Sequence, residues 1–349
     1  MNLFKSSIVL GGVVFVILVL SWTNFAQSQE PTENWADKMQ EAAKVLADGF
    51  PFLYSKREFR LPQNTARISS YIERFKQSSH TLPVSEGEKF IGLDPLIDQF
   101  NTQITQVLDE ASQSFKAKKF DESQGQVKMA VHKCFACHTA YQMGPSIERM
   151  NVEVKGIPLD AMSKVEVLVA LRQFSPALKI IEGKMGQGLK KGQKAEELLP
   201  FLRMHLLISV RSLQDIERAK KAVGLYQRAL AKQKGSNSPL PSQWLEDLKY
   251  WQSQKGGQGE KLALLMDRER KLKAEGFGDR SYVLNLLKSF LLHQSLIDRK
   301  NPEALAHVYW QLGQVYQNLN APILADLPKI YYAACREAAP KSEVAKKCH

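Results

Sequence analysis

From Glu33 onward, apolar residues recur every three or four positions along most of the chain, without a convincing stretch of alternating apolar and polar residues. That spacing is typical of amphipathic α-helices, because a half-buried strand would alternate with a period of two. The sequence therefore predicts an all-α protein. Its 349 residues are enough for about two domains that each bury a hydrophobic core.

Four amphipathic helices are predicted in the first part of the chain, and we expect them to form a four-helix bundle over residues 31–149. Glycine, proline and capping residues set their limits. These residues are Gly49, Phe50 and Pro51 at the end of the first helix, Pro83 after the second, Asp94 and Pro95 before the third, Asp121 or Ser123 before the fourth, and Tyr141 near its end.

Residues 150–349 remain helical in pattern, with glycine- or proline-containing stretches such as 183–192 and 235–241 predicted to separate the helices. One helix pair resembles a unit of a tetratricopeptide repeat, in which each helical hairpin buries its face against its neighbours. We therefore predict an array of such hairpins, with a plain helical domain as the alternative. The residues that carry the resemblance are Trp310, Leu312, Gly313, Tyr316, Ala333, Ala334 and Pro340.

The first 28 residues are predicted to be a secretory signal peptide. Lys5 precedes an uncharged run from Ile8 to Trp22, and Ala26-Gln27-Ser28 offers a cleavage site between small residues. The run is shorter than the roughly 20 residues that a membrane-spanning helix needs. Cleavage would give a periplasmic protein, whereas a retained segment would anchor the protein to the membrane.

The formal net charge is +12, and nearly all of the excess positive charge lies after Met150. A basic surface attracts nucleic acid, an anionic membrane or an acidic protein. For an exported protein a nucleic acid is not an expected partner. The charge therefore predicts an acidic or membrane-bound partner for the second part of the chain.

Cys134, Cys137 and His138 form a C-x-x-C-H motif, the pattern that attaches haem c. Two thiols three residues apart lie along one turn of a helix and bond to the porphyrin, while the adjacent histidine binds the iron. A structural zinc site, a thioredoxin-type dithiol and a simple disulfide are the alternatives. A zinc site needs further nearby Cys or His residues, and the dithiol needs a preceding strand that the sequence does not predict.

Residues 33–142 resemble the cytochrome c prime family and its low-spin relatives, four-helix-bundle cytochromes with the attachment motif in the last helix. The resemblance depends on the order of the helices, on Leu93-Asp94-Pro95 at the start of the third helix, and on the segment from Val131 to Tyr141. It implies one covalent haem c held by Cys134 and Cys137, with His138 as an axial iron ligand. Many relatives form a homodimer through the bundle, and the sequence leaves open whether this chain does.

The same resemblance places Met39 in the first helix as the sixth iron ligand. Met39 in the apolar core is the alternative reading, and His80 is a weaker candidate ligand. His132 lies on a different face of its helix from His138 and is predicted to be a surface residue. The family commonly has an arginine four residues after the ligating histidine, and this chain has Gln142 there.

Two further cysteines, Cys335 and Cys348, are predicted to form a disulfide because an oxidising compartment favours it. Three histidines lie in apolar helical stretches and are predicted to be packing residues rather than ligands. They are His205, His293 and His307.

Together these features predict an exported mono-haem cytochrome that transfers electrons and uses its basic helical region to dock a redox partner. A five-coordinate haem protein that binds nitric oxide or carbon monoxide is one alternative, and a scaffold with a structural haem is another. Enzyme activity is not expected, because no paired carboxylates, nucleophile motif or phosphate-binding loop occurs at a meaningful spacing.

Overall fold

A computed structural model describes residues 33–80, 94–141, 159–233, 238–274, 281–296 and 301–348. Across these ranges the chain is helical and contains no strand, which confirms the predicted all-α class. The predicted signal peptide lies outside the described residues. In the part of the chain that is described, no helix has both the length and the apolar character to cross a membrane.

Four long helices and one short helix make up the first region. The first long helix packs against the second, the second against the third and the third against the fourth, while the first also contacts the fourth. Their apolar faces are buried together. In chain order the helices are α1 (Glu33–Leu53), α2 (Lys56–Arg60), α3 (Thr65–His80), α4 (Leu96–Lys116) and α5 (Phe120–Ala140).

Helix α1 runs through Gly49 and Pro51 to Leu53, so the prediction that it ends at Gly49-Phe50-Pro51 is wrong. Tertiary packing explains the difference: Phe50 and Leu53 are fully buried, and Gly49 lies directly against the ring of Tyr71 on α3. Burial of two large apolar side chains outweighs the helix-breaking tendency of one glycine and one proline.

The predicted caps have different outcomes in α4 and α5. The carboxylate of Asp94 accepts a hydrogen bond from the backbone N–H of Leu96 at 3.0 Å, as expected of a capping residue. Helix α5 begins earlier than predicted, at Phe120, so Asp121 and Ser123 lie within its first turns. There the hydroxyl of Ser123 donates to the carbonyl of Ala111 at 2.7 Å, which joins α5 to α4.

The second region continues as a succession of helices in which sequence neighbours pack on each other. A π-helical turn, Leu207–Ser212, follows its third helix. The helices are α6 (Ala161–Ala170), α7 (Phe174–Lys191), α8 (Ala195–Leu206), α9 (Ile216–Ala231), α10 (Leu240–Ser253), α11 (Gln258–Ala274), α12 (Tyr282–Leu296), α13 (Pro302–Leu319) and α14 (Leu327–Ala338).

Helix α7 corrects the prediction that residues 183–192 separate two helices. The helix passes through this stretch and ends at Gly192, whose φ of 69° is the left-handed conformation of a glycine cap. Gly188 is buried against Leu198 of α8, so its lack of a side chain permits close packing of the two helices. Gly188 is therefore a packing position, and the glycines within this stretch do not break the helix.

The two regions share one continuous hydrophobic core. Helix α5 is central to it, because it contacts α4 on one side and α6, the π-helical turn, α12 and the turn Pro322–Leu324 on the other. The helix that carries the cysteine motif is therefore enclosed by both regions.

A buried polar network joins the two regions beside this helix. The Asp94 carboxylate accepts hydrogen bonds from Tyr141, from Tyr331 at 3.0 Å, and from Nδ1 of His293 at 2.7 Å. Burial lowers the pKa of His293 although Asp94 favours its charged form, so the imidazole is neutral. Its proton lies on Nδ1, because an acceptor faces that atom.

Arg211 of the π-helical turn extends the same network. One guanidinium nitrogen donates to the Tyr316 hydroxyl at 2.5 Å, and another donates to Oγ1 of Thr139 at 2.6 Å. The Tyr316 hydroxyl in turn donates to Nε2 of His293 at 2.5 Å. Donors and acceptors therefore alternate from Thr139 at the end of α5 to Asp94 before α4.

We predict that Asp94→Asn lowers the free energy of unfolding by about 3 kcal/mol, because it replaces a buried carboxylate on which three side-chain donors and one backbone N–H converge. Urea unfolding followed by circular dichroism measures the change. Asp98→Asn is the matched control, because Asp98 is exposed on the next turn. Equal stability of the two variants would contradict the prediction.

We also predict opposite effects of alanine at two helical glycines. A Cβ at Gly49 would meet the Tyr71 ring at 2.1 Å, so Gly49→Ala should destabilise the protein by roughly 1–3 kcal/mol. A Cβ at Gly125 of α5 meets nothing within 4 Å, and Gly125→Ala should stabilise it by about 0.5–1 kcal/mol. Stabilisation by both variants would show that the α1–α3 contact is looser than described.

Candidate functional site

An apolar cavity lies between α1, α3, α4 and α5, and Ala170 at the end of α6 also lines it. The cavity volume is about 80 Å³. Its apolar walls are formed by residues from all four long helices of the first region. The main ones are Ala42, Ala43, Leu46, Phe75, Phe100 and Ile104.

The structure brings Met39, Cys134, Cys137 and His138 together as lining residues of this one cavity. The two cysteines are free and half-buried on the last turns of α5. Burial raises the pKa of each thiol to about 12, so both are neutral. A thioredoxin-type dithiol depends on a thiol of lowered pKa, which is the opposite of what this cavity produces.

His138 is held in one orientation by the second region. Its Nδ1 lies 2.7 Å from the carbonyl oxygen of Ala170, so Nδ1 carries the proton and donates a hydrogen bond to that oxygen. Nε2 is then the nitrogen with a lone pair for a metal ion. Burial, and then the charge of Arg172, lower the pKa of His138 to about 3, which keeps the imidazole in its neutral, ligating form.

Of the predicted sixth ligands, Met39 is the one placed at the cavity wall. It comes from α1, whereas His138 comes from α5. His132 is partly exposed with its Nε2 3.7 Å from a carboxylate oxygen of Glu166, so it is the surface residue that was predicted. His80 ends α3, and its side chain lies outside the described residues.

Two contributors to the surroundings of His138 could not be found by sequence reasoning. Ala170 supplies the carbonyl and Arg172 the nearby positive charge, and both are more than thirty positions along the chain from the histidine. Neither residue type is unusual at the end of a helix, so no pattern marks them. Gln142, at the position where the cytochrome c prime family commonly has an arginine, lies outside the described residues.

No three His, Cys, Asp or Glu side chains within the described ranges are arranged to hold a metal ion. Cys134, Cys137 and His138 therefore share a cavity without forming the compact donor cluster of a structural zinc site.

The other predicted residues have mixed outcomes. Cys335 and Cys348 are bonded to each other, with their Cα atoms 6.3 Å apart, and both are fully buried. His205 is a buried packing residue, as predicted. Its Nε2 lies 3.1 Å from a carboxylate oxygen of Glu182, so its polar edge has a partner. His293 belongs to the polar network. His307 is exposed on α13, so its assignment to the packed interior is wrong.

Comparison with family models, with curated proteins and with solved structures finds no match to this chain. The functional argument therefore depends on the residues of the cavity themselves.

The raised thiol pKa predicts slow alkylation of Cys134 and Cys137 in the folded protein prepared without a cofactor. At pH 8, reaction with iodoacetamide should be on the order of a thousandfold slower than in the unfolded chain, because the thiolate is the reacting species. Mass spectrometry of peptides sampled over time measures both rates. Equal rates before and after unfolding would contradict the buried placement of the thiols.

Proposed function

We propose that this chain is an exported c-type cytochrome that carries one covalent haem and transfers electrons. The observation that supports this most strongly is the convergence of Cys134, Cys137, His138 and Met39 on one apolar cavity. We also propose that residues 33–142 are related to the low-spin members of the cytochrome c prime family, which they resemble.

The chemistry of the donors fits a haem. Cys134 and Cys137 are neutral thiols on one turn of α5 and would hold the porphyrin through thioether bonds. Nε2 of His138 would bind the iron, and the sulfur of Met39 would bind it from α1. When bound, the haem supplies an iron centre that gains and loses one electron.

The protein's own residues then determine how that centre behaves. Two side-chain ligands leave no open position for a substrate, which favours a carrier over an enzyme. The hydrogen bond from His138 to Ala170 fixes the plane of the imidazole and makes it a stronger donor to the metal. Apolar walls exclude water from the ligands, and a methionine ligand raises the reduction potential relative to a second histidine.

The second region has a part in this proposal as a docking surface. It holds nearly all of the chain's excess positive charge, which would steer an acidic or membrane-bound redox partner. Transient redox complexes use small interfaces, so charge steering matters more than a large apolar contact.

The role of Met39 is tested by the visible spectrum of the haem-loaded protein and of Met39→Ala. For the wild type we expect sharp low-spin bands on reduction that carbon monoxide does not change. Met39→Ala should become high-spin and should shift when carbon monoxide binds, because the sixth position is then open. Met185→Ala is the matched control, since Met185 is a buried methionine of α7 that does not line the cavity.

A wild-type spectrum that already shifts with carbon monoxide would favour the five-coordinate, gas-binding alternative. A low-spin spectrum retained in Met39→Ala would show that another residue is the sixth ligand. A purified protein without haem bands would contradict the proposed function as a whole.

A further inference from the structure

Three polar residues line the apolar cavity, and the proposed haem ligands do not account for them. They are Ser79, Asn101 and Lys133, and among the described lining residues Lys133 is the one with a formal charge. Lys133 is only 6% exposed, and its Nζ lies over the Phe100 ring, 5.5 Å from the centroid. An ammonium group held against an apolar cavity has a desolvation cost that requires compensation.

Asp326, at the start of α14, compensates only part of this cost. Its carboxylate lies 2.6 Å from Nζ of Lys133, but the side chain of Asp326 is 68% exposed. Exposed carboxylates form weak ion pairs, because water competes for them. An ammonium group has three donors, so Lys133 can bind a second acceptor on the cavity side.

The side chain of Asn101 provides a second observation, independent of Lys133, that points to a ligand in the cavity. Its side-chain oxygen is buried and has no hydrogen-bond partner. A buried amide oxygen without a partner is costly, and such an atom needs an explanation. The oxygen and nitrogen of an amide exchange places by a half-turn, which would present the Asn101 NH₂ group to an acceptor in the cavity.

We propose that Lys133 and Asn101 form the anchoring site for a propionate carboxylate of the haem, an inference that rests on the proposed function. A haem combines an apolar ring with two carboxylates, and the cavity combines apolar walls with one cation and one amide whose buried oxygen has no hydrogen-bond partner. A buried carboxylate is stabilised by a charge-assisted hydrogen bond from an ammonium group and by a further N–H donor.

The arrangement also sets the direction of an electrostatic effect. A positive charge beside the haem favours the reduced form, which has one positive charge fewer than the oxidised form. Lys133 therefore raises the reduction potential, and Asp326 opposes it. If Lys133 and Asp326 formed only a structural ion pair, loss of either partner would break the same contact and would move the reduction potential in the same direction.

The experiment compares the midpoint potentials of the haem-loaded wild type, Lys133→Met and Asp326→Asn, together with the propionate bending band in their resonance Raman spectra. We expect the potential to fall in Lys133→Met and to rise in Asp326→Asn. The propionate band should move in Lys133→Met and stay in place in Asp326→Asn. Lys133→Arg should retain the wild-type potential, and Lys190→Met, at an exposed lysine of α7, should leave both readouts unchanged.

Potentials that move in the same direction in Lys133→Met and Asp326→Asn would overturn the inference, because they would show a structural ion pair. A lowered potential with an unmoved propionate band in Lys133→Met would overturn the assignment to the propionate. Both results leave the haem in place, so they are distinguishable from failure of the proposed function, which would give a wild-type protein without haem bands.

Discussion

The buried carboxylate of Asp94 is the constraint on which the arrangement of the two regions depends. A charged group in the interior is stable only where donors surround it, and here the donors come from three separate parts of the chain. Tyr141 follows α5, His293 belongs to α12 and Tyr331 belongs to α14. Satisfying this one carboxylate therefore fixes the first region against the last helices of the second.

The same network positions the candidate haem site. Thr139 is the neighbour of His138, and its hydroxyl oxygen accepts a hydrogen bond from Arg211 of the π-helical turn. The carbonyl of Ala170 accepts a hydrogen bond from the His138 imidazole. Both contacts come from the second region. That region therefore supplies two of the contacts around His138, the proposed iron ligand, as well as a basic surface, and these contacts exist only when the two regions are packed together.

Sequence reasoning predicted what is encoded locally. The helical period gave the all-α class, and the spacing of Cys134, Cys137 and His138 predicted that these three candidate site residues lie close together on one helix. It failed where distant packing decides: α1 continues past Pro51 because Phe50 is buried, and α7 passes through several glycines because each costs only about 1 kcal/mol in a helix. Ala170 and Lys133 gained their significance from contacts between residues far apart in the chain, which no local pattern reveals.

Intact mass spectrometry of the purified protein, after unfolding and reduction of its disulfide, tests the central claim most directly. Covalent attachment predicts the mass of the polypeptide plus one haem, with the added mass on the peptide that contains Cys134 and Cys137. A polypeptide of unmodified mass with four reactive thiols, one for each cysteine of the sequence, would contradict the account.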